Sequence, residues 1–235
     1  MTLELFAVCF AASQPTGLAR FWSGLLGWEL VDDDMLVPTD DTGFRLHFVV
    51  TEEPKVEPLR GHFDLTSGSL ESQQRTVARA LELGGRHCDV GQLPEEPHVV
   101  LADIEGNEFC VIEPENKFLA DCGFVGALAC DGTQQVGYFW SAALGWPLVW
   151  DREGETAIRS PHGGPKITWG GSPLAIRNHG DRLRFDLAPS ADSDQATEVE
   201  RLLALGASLT GDRTECQPVT LADPDGSRFC VLADQ

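Results

Sequence analysis

The sequence predicts an α+β fold built from four strand-helix-strand-strand-strand units, arranged as two tandem copies. The main observation is a duplication: Phe21-Trp-Ser-Gly-Leu-Leu-Gly-Trp28 returns as Phe139-Trp-Ser-Ala-Ala-Leu-Gly-Trp146, 118 residues later. Two further segments, which begin at Leu101 and Phe63, return after 120 and 122 residues. Three landmarks in one order, with nearly constant spacing, indicate a duplicated domain.

The first unit shows the pattern most clearly. Phe6–Ala12 alternates large and small residues and predicts a strand. Thr16–Leu26 places five large apolar residues on one helical stripe and predicts a helix that ends at the following glycine. Three further strands are predicted near Glu29–Asp32, Met35–Pro38 and Arg45–Thr51.

The same order of elements is predicted three more times. The second unit has a strand at His62–Thr66, a helix at Leu70–Leu83, and strands near His87–Val90, His98–Ala102 and Glu108–Glu113. The third and fourth units have helices near Gln134–Leu144 and Asp194–Leu205. The polar stretch Pro114–Asp121 is predicted to link two domains, residues 1–116 and 121–235.

Composition limits the classes of partner. The chain carries a formal net charge of −20, which repels phosphate backbones and argues against nucleic acid. The same field would attract a cationic ligand. No apolar run is long enough to cross a bilayer. The seven cysteines contain no Cys-x-x-Cys pair and suit reduced thiols, so a cytoplasmic protein is expected.

Two motifs carry a resemblance to a known superfamily: the helix that ends in Leu-Leu-Gly-Trp, and the Asp-x-x-Gly-x-x-Phe-Cys-Val hairpin. In these and in the order of its elements, nearly the whole chain resembles the vicinal oxygen chelate superfamily. That superfamily includes glyoxalase I, bleomycin-resistance proteins and extradiol dioxygenases, and the chain looks most like its glyoxalase-like branch. The resemblance implies that paired units roll their strands into an open cup with helices outside. We expect each half of the chain to form one such cup.

Strand alternation then predicts which side chains face the cups. In the first strand Phe6, Val8 and Phe10 suit the helix side, which leaves small residues inside. Two aspartates occupy matching cup positions, and each is expected to pair with the basic residue two positions before it, His62 or Arg184. The predicted ligand-pocket residues are His47, His62, Asp64, Cys110, Thr168, Arg184, Asp186 and Cys230.

The resemblance also allows a test for metal. Metal-dependent members carry two His-type and two Glu-type ligands on four cup strands. The corresponding positions here are Ala7 and Val125, Val49 and Gly170, His62 and Arg184, and Cys110 and Cys230. Most of these offer no donor, so no metal or other cofactor is predicted. The alternative is a divalent ion at an improvised site of His47, His62 and Cys110.

Two functions of different class follow. The first is a small-molecule-binding, metal-independent protein of the glyoxalase/bleomycin-resistance family, with a ligand that is cationic or aromatic. The alternative is a lyase, isomerase or dioxygenase that acts on a small oxygen-rich substrate, with His62 and Asp64 as a general base. No membrane partner is expected. Because the two domains are fused, we expect a monomer with an internal pseudo-dimer rather than a homodimer.

Overall fold

The computed structural model describes residues 2–53, 55, 59–93, 95–171, 182–210 and 217–233. Four consecutive modules each contain a strand, a helix and three strands. Module 1 consists of β1 (Leu3–Ala12), α1 (Pro15–Leu26), β2 (Glu29–Asp32), β3 (Met35–Val37) and β4 (Arg45–Val50). Module 2 consists of β5 (Gly61–Leu65), α2 (Leu70–Glu82), β6 (Arg86–His87), β7 (Val99–Ala102) and β8 (Glu108–Val111).

The second half repeats this order. Module 3 consists of β9 (Val125–Asp131), α3 (Gln134–Leu144), β10 (Leu148–Arg152), β11 (Glu155–Arg159) and β12 (Lys166–Gly170). Module 4 consists of β13 (Leu183–Pro189), α4 (Gln195–Leu205), β14 (Ser208–Leu209), β15 (Val219–Ala222) and β16 (Arg228–Val231). The predicted α+β fold of four modules is confirmed. Among the described residues, no helix is long and apolar enough to span a bilayer.

The two sheets combine modules from different halves of the chain. One eight-stranded sheet has the order β14-β15-β16-β13-β1-β4-β3-β2, so modules 1 and 4 share it; we call its inner side cup A. The other has the order β10-β11-β12-β9-β5-β8-β7-β6, so modules 2 and 3 share it; we call its inner side cup B. The expectation that each half forms its own cup is therefore wrong.

The two modules of one half pack against each other through helices instead. In the first half, the Trp22 ring of α1 lies edge-on against Phe63 and Phe109 of the other sheet, with ring centroids 5.6 and 5.1 Å away. In the second half, Trp140 of α3 packs in the same way on Phe185 and Phe229. Since the modules of one half lie helix side to helix side, their strands cannot also share a sheet.

A buried hydrogen bond explains why the sequence landmarks recur together. Trp22 Nε1 donates to Asp103 Oδ2 at 3.2 Å, and Trp140 Nε1 donates to Asp223 Oδ2 at 3.1 Å. The helix motif and the hairpin motif thus meet within each half. Burial raises the pKa of both carboxyls, to about 6 for Asp223, although hydrogen bonds from the surrounding backbone and indole groups oppose that rise. The two motifs therefore hold the two modules of each half together.

Strand alternation holds with one exception. The apolar residues predicted to face the helices, Leu46, Phe48, Phe63 and Leu65 among them, belong to the main core. Phe6, however, lies outside that core, because a bulge between Leu5 and Ala7 interrupts the pairing of β1 with β13. The Arg45 guanidinium lies 4.1 Å from the centre of the Phe6 ring instead. The prediction that Phe6 faces the helices is therefore wrong.

Candidate functional site

The floor of cup B is a row of residues that lie side by side across five strands. His62 on β5 pairs with Ala129 on β9, which pairs with Thr168 on β12. The row continues through Ala157 on β11 to Trp150 on the edge strand β10. Neighbouring members are about one strand spacing, 4.8 Å, apart and share one face of the sheet. Because two of the five are alanines, the row leaves open space between its larger members.

Cup A has the same row with larger, interacting residues. The strand registers make Arg184, Cys9 and His47 the counterparts of His62, Ala129 and Thr168. Cys9 Sγ donates to Asp186 Oδ2 at 3.0 Å and lies 4.0 Å from His47 Nδ1. Arg184 Nε donates to Asp186 Oδ1 at 3.1 Å. The side chains that face cup A therefore satisfy one another.

A cavity of about 380 Å³ lies in cup B. Ala129 lies at its floor, with His62 and Thr168 on either side, while the rings of Phe118 and Trp150 form a wall. Those two rings are edge to face, with centroids 5.6 Å apart. Arg152 covers one face of Trp150, at 5.4 Å from its centre. The cavity has the size and the mixed apolar and polar lining of a small-molecule site.

A second row, two residues farther along the strands, carries acidic groups. Gly170 on β12 pairs with Asp131 on β9, and Glu155 lies beside it on β11. All three residues line the cavity. A Cβ atom on Gly170 would lie 2.8 Å from Glu155 Cγ, so the glycine leaves the space that the glutamate occupies. The outer part of the cavity is therefore acidic.

His62 is a basic residue of cup B, as is Lys166 on β12, whose Nζ lies 4.4 Å from the centre of the Phe118 ring. Its Nε2 lies 3.5 Å from Asp64 Oδ1, and its side chain is 40% exposed. Burial acts to lower the pKa of His62, but hydrogen bonds to Asp64 and Cys110 outweigh burial and raise the pKa to about 10. At neutral pH the imidazole is therefore protonated and paired with Asp64. The expected pairing of the two cup aspartates with His62 and Arg184 is confirmed.

Apolar side chains fill the part of cup B next to β8. A cluster separate from the main core contains Val100, Cys110, Ile112, Leu119 and Ala127, with Phe118 packed against it. This cluster covers the strands on the β8 side of His62. The cluster therefore separates the cavity between His62 and Trp150 from a second cavity of about 340 Å³, which Thr66, Ile112 and Leu119 help to line.

The structure divides the predicted pocket residues between the two cups. His62, Asp64, Cys110 and Thr168 lie in cup B, and His47, Arg184, Asp186 and Cys230 lie in cup A. Of the eight, His62 and Thr168 line the cavity. That these residues contact a ligand stays a prediction.

Sequence reasoning missed the aromatic wall and the acidic row. Trp150 could have been found by comparing the copies, because the strand register makes it the counterpart of Asp32. Glu155 has no paired counterpart in cup A, because the shorter β2–β3 hairpin turns at Asp33 and Asp34. Phe118 lies in the segment between the halves, where no periodicity indicates its direction.

The improvised metal site of His47, His62 and Cys110 does not form. His47 lies near Cys9 and Asp186 in cup A, whereas His62 and Cys110 lie with Asp64 in cup B. The strand assignment of Val125 is also wrong by two residues, since Ala127 is the counterpart of Ala7. This shift leaves the conclusion at that position unchanged, because alanine has no donor atom.

Each cup does bring three potential donor atoms within 4.8 Å of one another, but their chemistry fits a metal poorly. In cup A, Arg184 and Cys9 already donate to Asp186, and burial together with that carboxylate raises the pKa of the Cys9 thiol well above its usual range. In cup B, His62 is an imidazolium and has no free lone pair to offer. Metal ligands must be deprotonated. Neither set matches the two His-type and two Glu-type ligands of metal-dependent relatives.

Comparison with solved structures supports the fold. Maize glyoxalase I superposes with a TM-score of 0.65 at 12% identity, covering 99% of this chain and 92% of that one. A putative dioxygenase from Bacillus subtilis superposes with a TM-score of 0.61 at 14% identity, covering 99% of this chain and 86% of that one. At such identities the likeness concerns the fold alone. No curated protein gave a significant match.

Paired βαβββ modules around open cups define a protein of the vicinal oxygen chelate superfamily. The sequence model of the glyoxalase-like domain matches residues 7–112 and again 126–232. The chain belongs to the glyoxalase-like domain family, which it represents as two tandem copies.

Proposed function

We propose that this protein is a metal-independent binder of small molecules and that cup B is its binding site. The observation that carries the proposal is the cavity of about 380 Å³ above Ala129, between His62 and the Phe118–Trp150 wall. The equivalent position in cup A holds Cys9, whose thiol is engaged with Asp186. The two cups have therefore diverged at this position, and cup B combines aromatic surface with a few polar groups.

An aromatic ligand with a positive charge suits this cavity best. Trp150 and Phe118 supply aromatic surface, on which aromatic rings and cations both bind favourably, and Arg152 and Lys166 each cover one face of these rings. Asp131 and Glu155 add negative charge to the lining, and the whole chain carries −20. A field of that sign raises the local concentration of cations and speeds their capture.

Metal independence is part of the proposal. Its support is the donor chemistry: a protonated His62 paired with Asp64, and a Cys9 thiol that donates to Asp186. We expect elemental analysis of protein purified without chelator to give well under one zinc or iron per chain. A stoichiometric metal that is lost on His62→Ala or His47→Ala would overturn this part.

A second candidate, an enzyme of the same superfamily, rests on the position of His62 at the cavity. A base must be unprotonated before it reacts, and the raised pKa of His62 argues against that role at neutral pH. The protonated ring could instead act as a general acid toward a substrate oxygen. Turnover of an oxygen-rich ligand that disappears on His62→Gln, with binding retained, would favour the enzyme.

The binding site can be tested with a panel of aromatic cations and neutral aromatics. Ligands that raise the melting temperature would be titrated by calorimetry against the wild type, Trp150→Ala and Val149→Ala. Val149 is exposed on the same strand and does not line the cavity, so it is the matched control. We expect Trp150→Ala to weaken binding about tenfold, as loss of a stacking wall implies. Equal affinities for the two variants would place the site elsewhere.

We also propose that the protein is a cytoplasmic monomer that does not bind nucleic acid. The six described cysteines are all free, which suits a reducing compartment. Within one chain, β1 pairs with β13 and β5 pairs with β9, so both sheets are already complete in their centre. Light scattering should give the mass of one chain, and twice that mass would contradict the monomer.

A further inference from the structure

Cup B separates two kinds of charge along the direction of its strands. The inner row contains the imidazolium of His62 and the hydroxyl of Thr168, on either side of Ala129. The outer row contains the carboxylates of Asp131 and Glu155, on either side of Gly170. The rows are two residues apart, which corresponds to about 7 Å along a strand. Both rows line the same cavity.

The inner row offers a ligand oxygen a positively charged ring and one hydroxyl donor. Asp64 orients the His62 ring, since the two are 3.5 Å apart, and it also keeps the ring protonated. The His62 side chain remains 40% exposed toward the cavity. Thr168 adds a hydroxyl that can donate from the other side of Ala129. An oxygen placed above the Ala129 methyl would meet the Thr168 hydroxyl on one side and the positively charged His62 ring on the other.

The outer row is suited to the opposite charge. The Glu155 carboxylate forms no hydrogen bond or ion pair with any part of the chain that the structure describes. Its neighbour in the row, Arg152, turns onto the Trp150 ring instead. Asp131 has a partner within the protein, so its charge is partly compensated. Glu155 is therefore the carboxylate with the greatest capacity to take a ligand cation.

We infer that the ligand of cup B is a zwitterionic aromatic compound, with an anionic oxygen directed at His62 and Thr168 and an ammonium group directed at Glu155. The aromatic body would span the interval between the rows, against Trp150 and Phe118. This inference rests on the proposed binding function of cup B. A ligand with only a cationic group would occupy the outer row and leave the inner row without a partner.

The test uses four probes built on one ring: 4-(aminomethyl)benzoate, benzylamine, benzoate and benzyl alcohol. Affinities would be measured by nuclear magnetic resonance titration of the intact chain at pH 7 and low salt. We expect the zwitterion to bind about fivefold more tightly than either singly charged probe, since each partly exposed ion pair contributes a factor of that size. Adding 0.5 M sodium chloride should reduce this preference.

Two variants assign the ends of the ligand. Glu155→Gln should weaken benzylamine and the zwitterion but not benzoate, and His62→Gln should weaken benzoate and the zwitterion but not benzylamine. The controls are Asp33→Asn, an exposed carboxylate in the β2–β3 turn of the other sheet, and His87→Gln, on the exposed edge strand of the same sheet. Neither control should change any affinity. The probe series on the unmodified protein stands even if a variant fails to fold.

The outcomes separate the inference from the function on which it rests. Equal affinities for the four probes, with shifts at cup B, would overturn the zwitterion and leave the binding function in place. Tighter binding of benzylamine than of the zwitterion would also overturn the inference and favour a simple cation site. If none of the four probes shifts cup B resonances at millimolar concentration, both the inference and the proposed function fail.

Discussion

Single residues determine where this fold is rigid and where it can bind. Asp103 is fully buried and accepts hydrogen bonds from Trp22 Nε1, from Asn107 Nδ2 and from the backbone N–H groups of Glu105 and Asn107. One carboxylate thus holds a turn together and ties it to a helix of the neighbouring module. Ala129 is important for the opposite reason, since its small side chain leaves the cavity open.

Removal of the Asp103 carboxylate should be costly. Asp103→Ala would leave the Trp22 indole N–H and two backbone N–H groups buried without acceptors, so we expect a loss of about 2–4 kcal/mol in the free energy of unfolding. Asp103→Asn keeps the shape and one acceptor oxygen and should lose less. Urea denaturation measures both. Equal stability of the wild type and Asp103→Ala would contradict the structural role.

The pH dependence of stability should report His62. Its pKa is about 10 in the folded protein and about 6.5 in the unfolded chain, so the folded state binds the proton more tightly. The resulting stabilisation is fully present below pH 6.5 and is lost as pH rises toward 10. Asp64 and Cys110 are the ionisable groups that contact the ring, and both are included in this effect.

The measurement compares melting temperatures of the wild type and His62→Gln between pH 6 and pH 9.5. The advantage of the wild type should shrink steadily across that interval. His87→Gln, exposed on an edge strand, should follow the wild type throughout. A difference between wild type and His62→Gln that stays constant with pH would show that His62 does not titrate as expected.

At the scale of elements, helix-to-strand contacts are close enough to require glycine. A Cβ atom on Gly137 of α3 would lie 1.9 Å from Thr156 Oγ1 on β11. On Gly17 of α1, by contrast, the nearest atom would be Ile104 Cδ1 at 3.4 Å, an ordinary contact. The sequence alone shows two helical glycines of similar appearance, and packing distinguishes them.

Gly137→Ala should therefore destabilise the protein even though alanine favours a helix. We expect a loss of about 1–3 kcal/mol from overpacking against Thr156. Gly17→Ala should be neutral, or stabilising by up to about 1 kcal/mol. Combining Gly137→Ala with Thr156→Ala removes the clash and should recover part of the loss. Thermal denaturation of the wild type, Gly17→Ala, Gly137→Ala, Thr156→Ala and the double variant tests this, and additive losses in the double variant would count against the clash.

Strand alternation determined how much of the site could be predicted from the sequence. The faces of His62, Asp64, Thr168 and Arg184 followed from strand alternation, which depends only on neighbouring residues. The bulge that displaces Phe6 could not be predicted in this way, because it arises where β1 meets a strand from the far end of the chain. Which predicted residues meet in one cup was equally beyond a local pattern.

The whole molecule is held together by two different kinds of contact. Strand pairing joins modules 1 with 4 and 2 with 3, whereas helix packing joins modules 1 with 2 and 3 with 4. Each half depends on the other for the centre of both sheets, through the β1–β13 and β5–β9 pairs. The sequence repeat is therefore not an independent folding unit.

A fragment of residues 1–120 should accordingly not form a stable monomer. It would expose the edges of β1 and β5, which are unpaired templates for association. We expect a dimer or larger species by light scattering, and recovery of a one-to-one complex on co-expression with residues 121–235. A monomeric fragment that unfolds cooperatively would show that one half is sufficient.

The sequence by itself determined the number of modules, the order of their elements and the face on which most strand side chains lie. These features follow from periods of two and of about 3.6 residues and from repeated motifs, all of which act over short stretches of chain. The tertiary structure alone decided which modules share a sheet and which residues meet in a cup. Duplicated modules present nearly the same strand edges, so local sequence does not choose between partners within a half and partners across halves. Packing of Trp22 and Trp140 between the sheets makes that choice, and with it places Ala129 between His62 and Thr168.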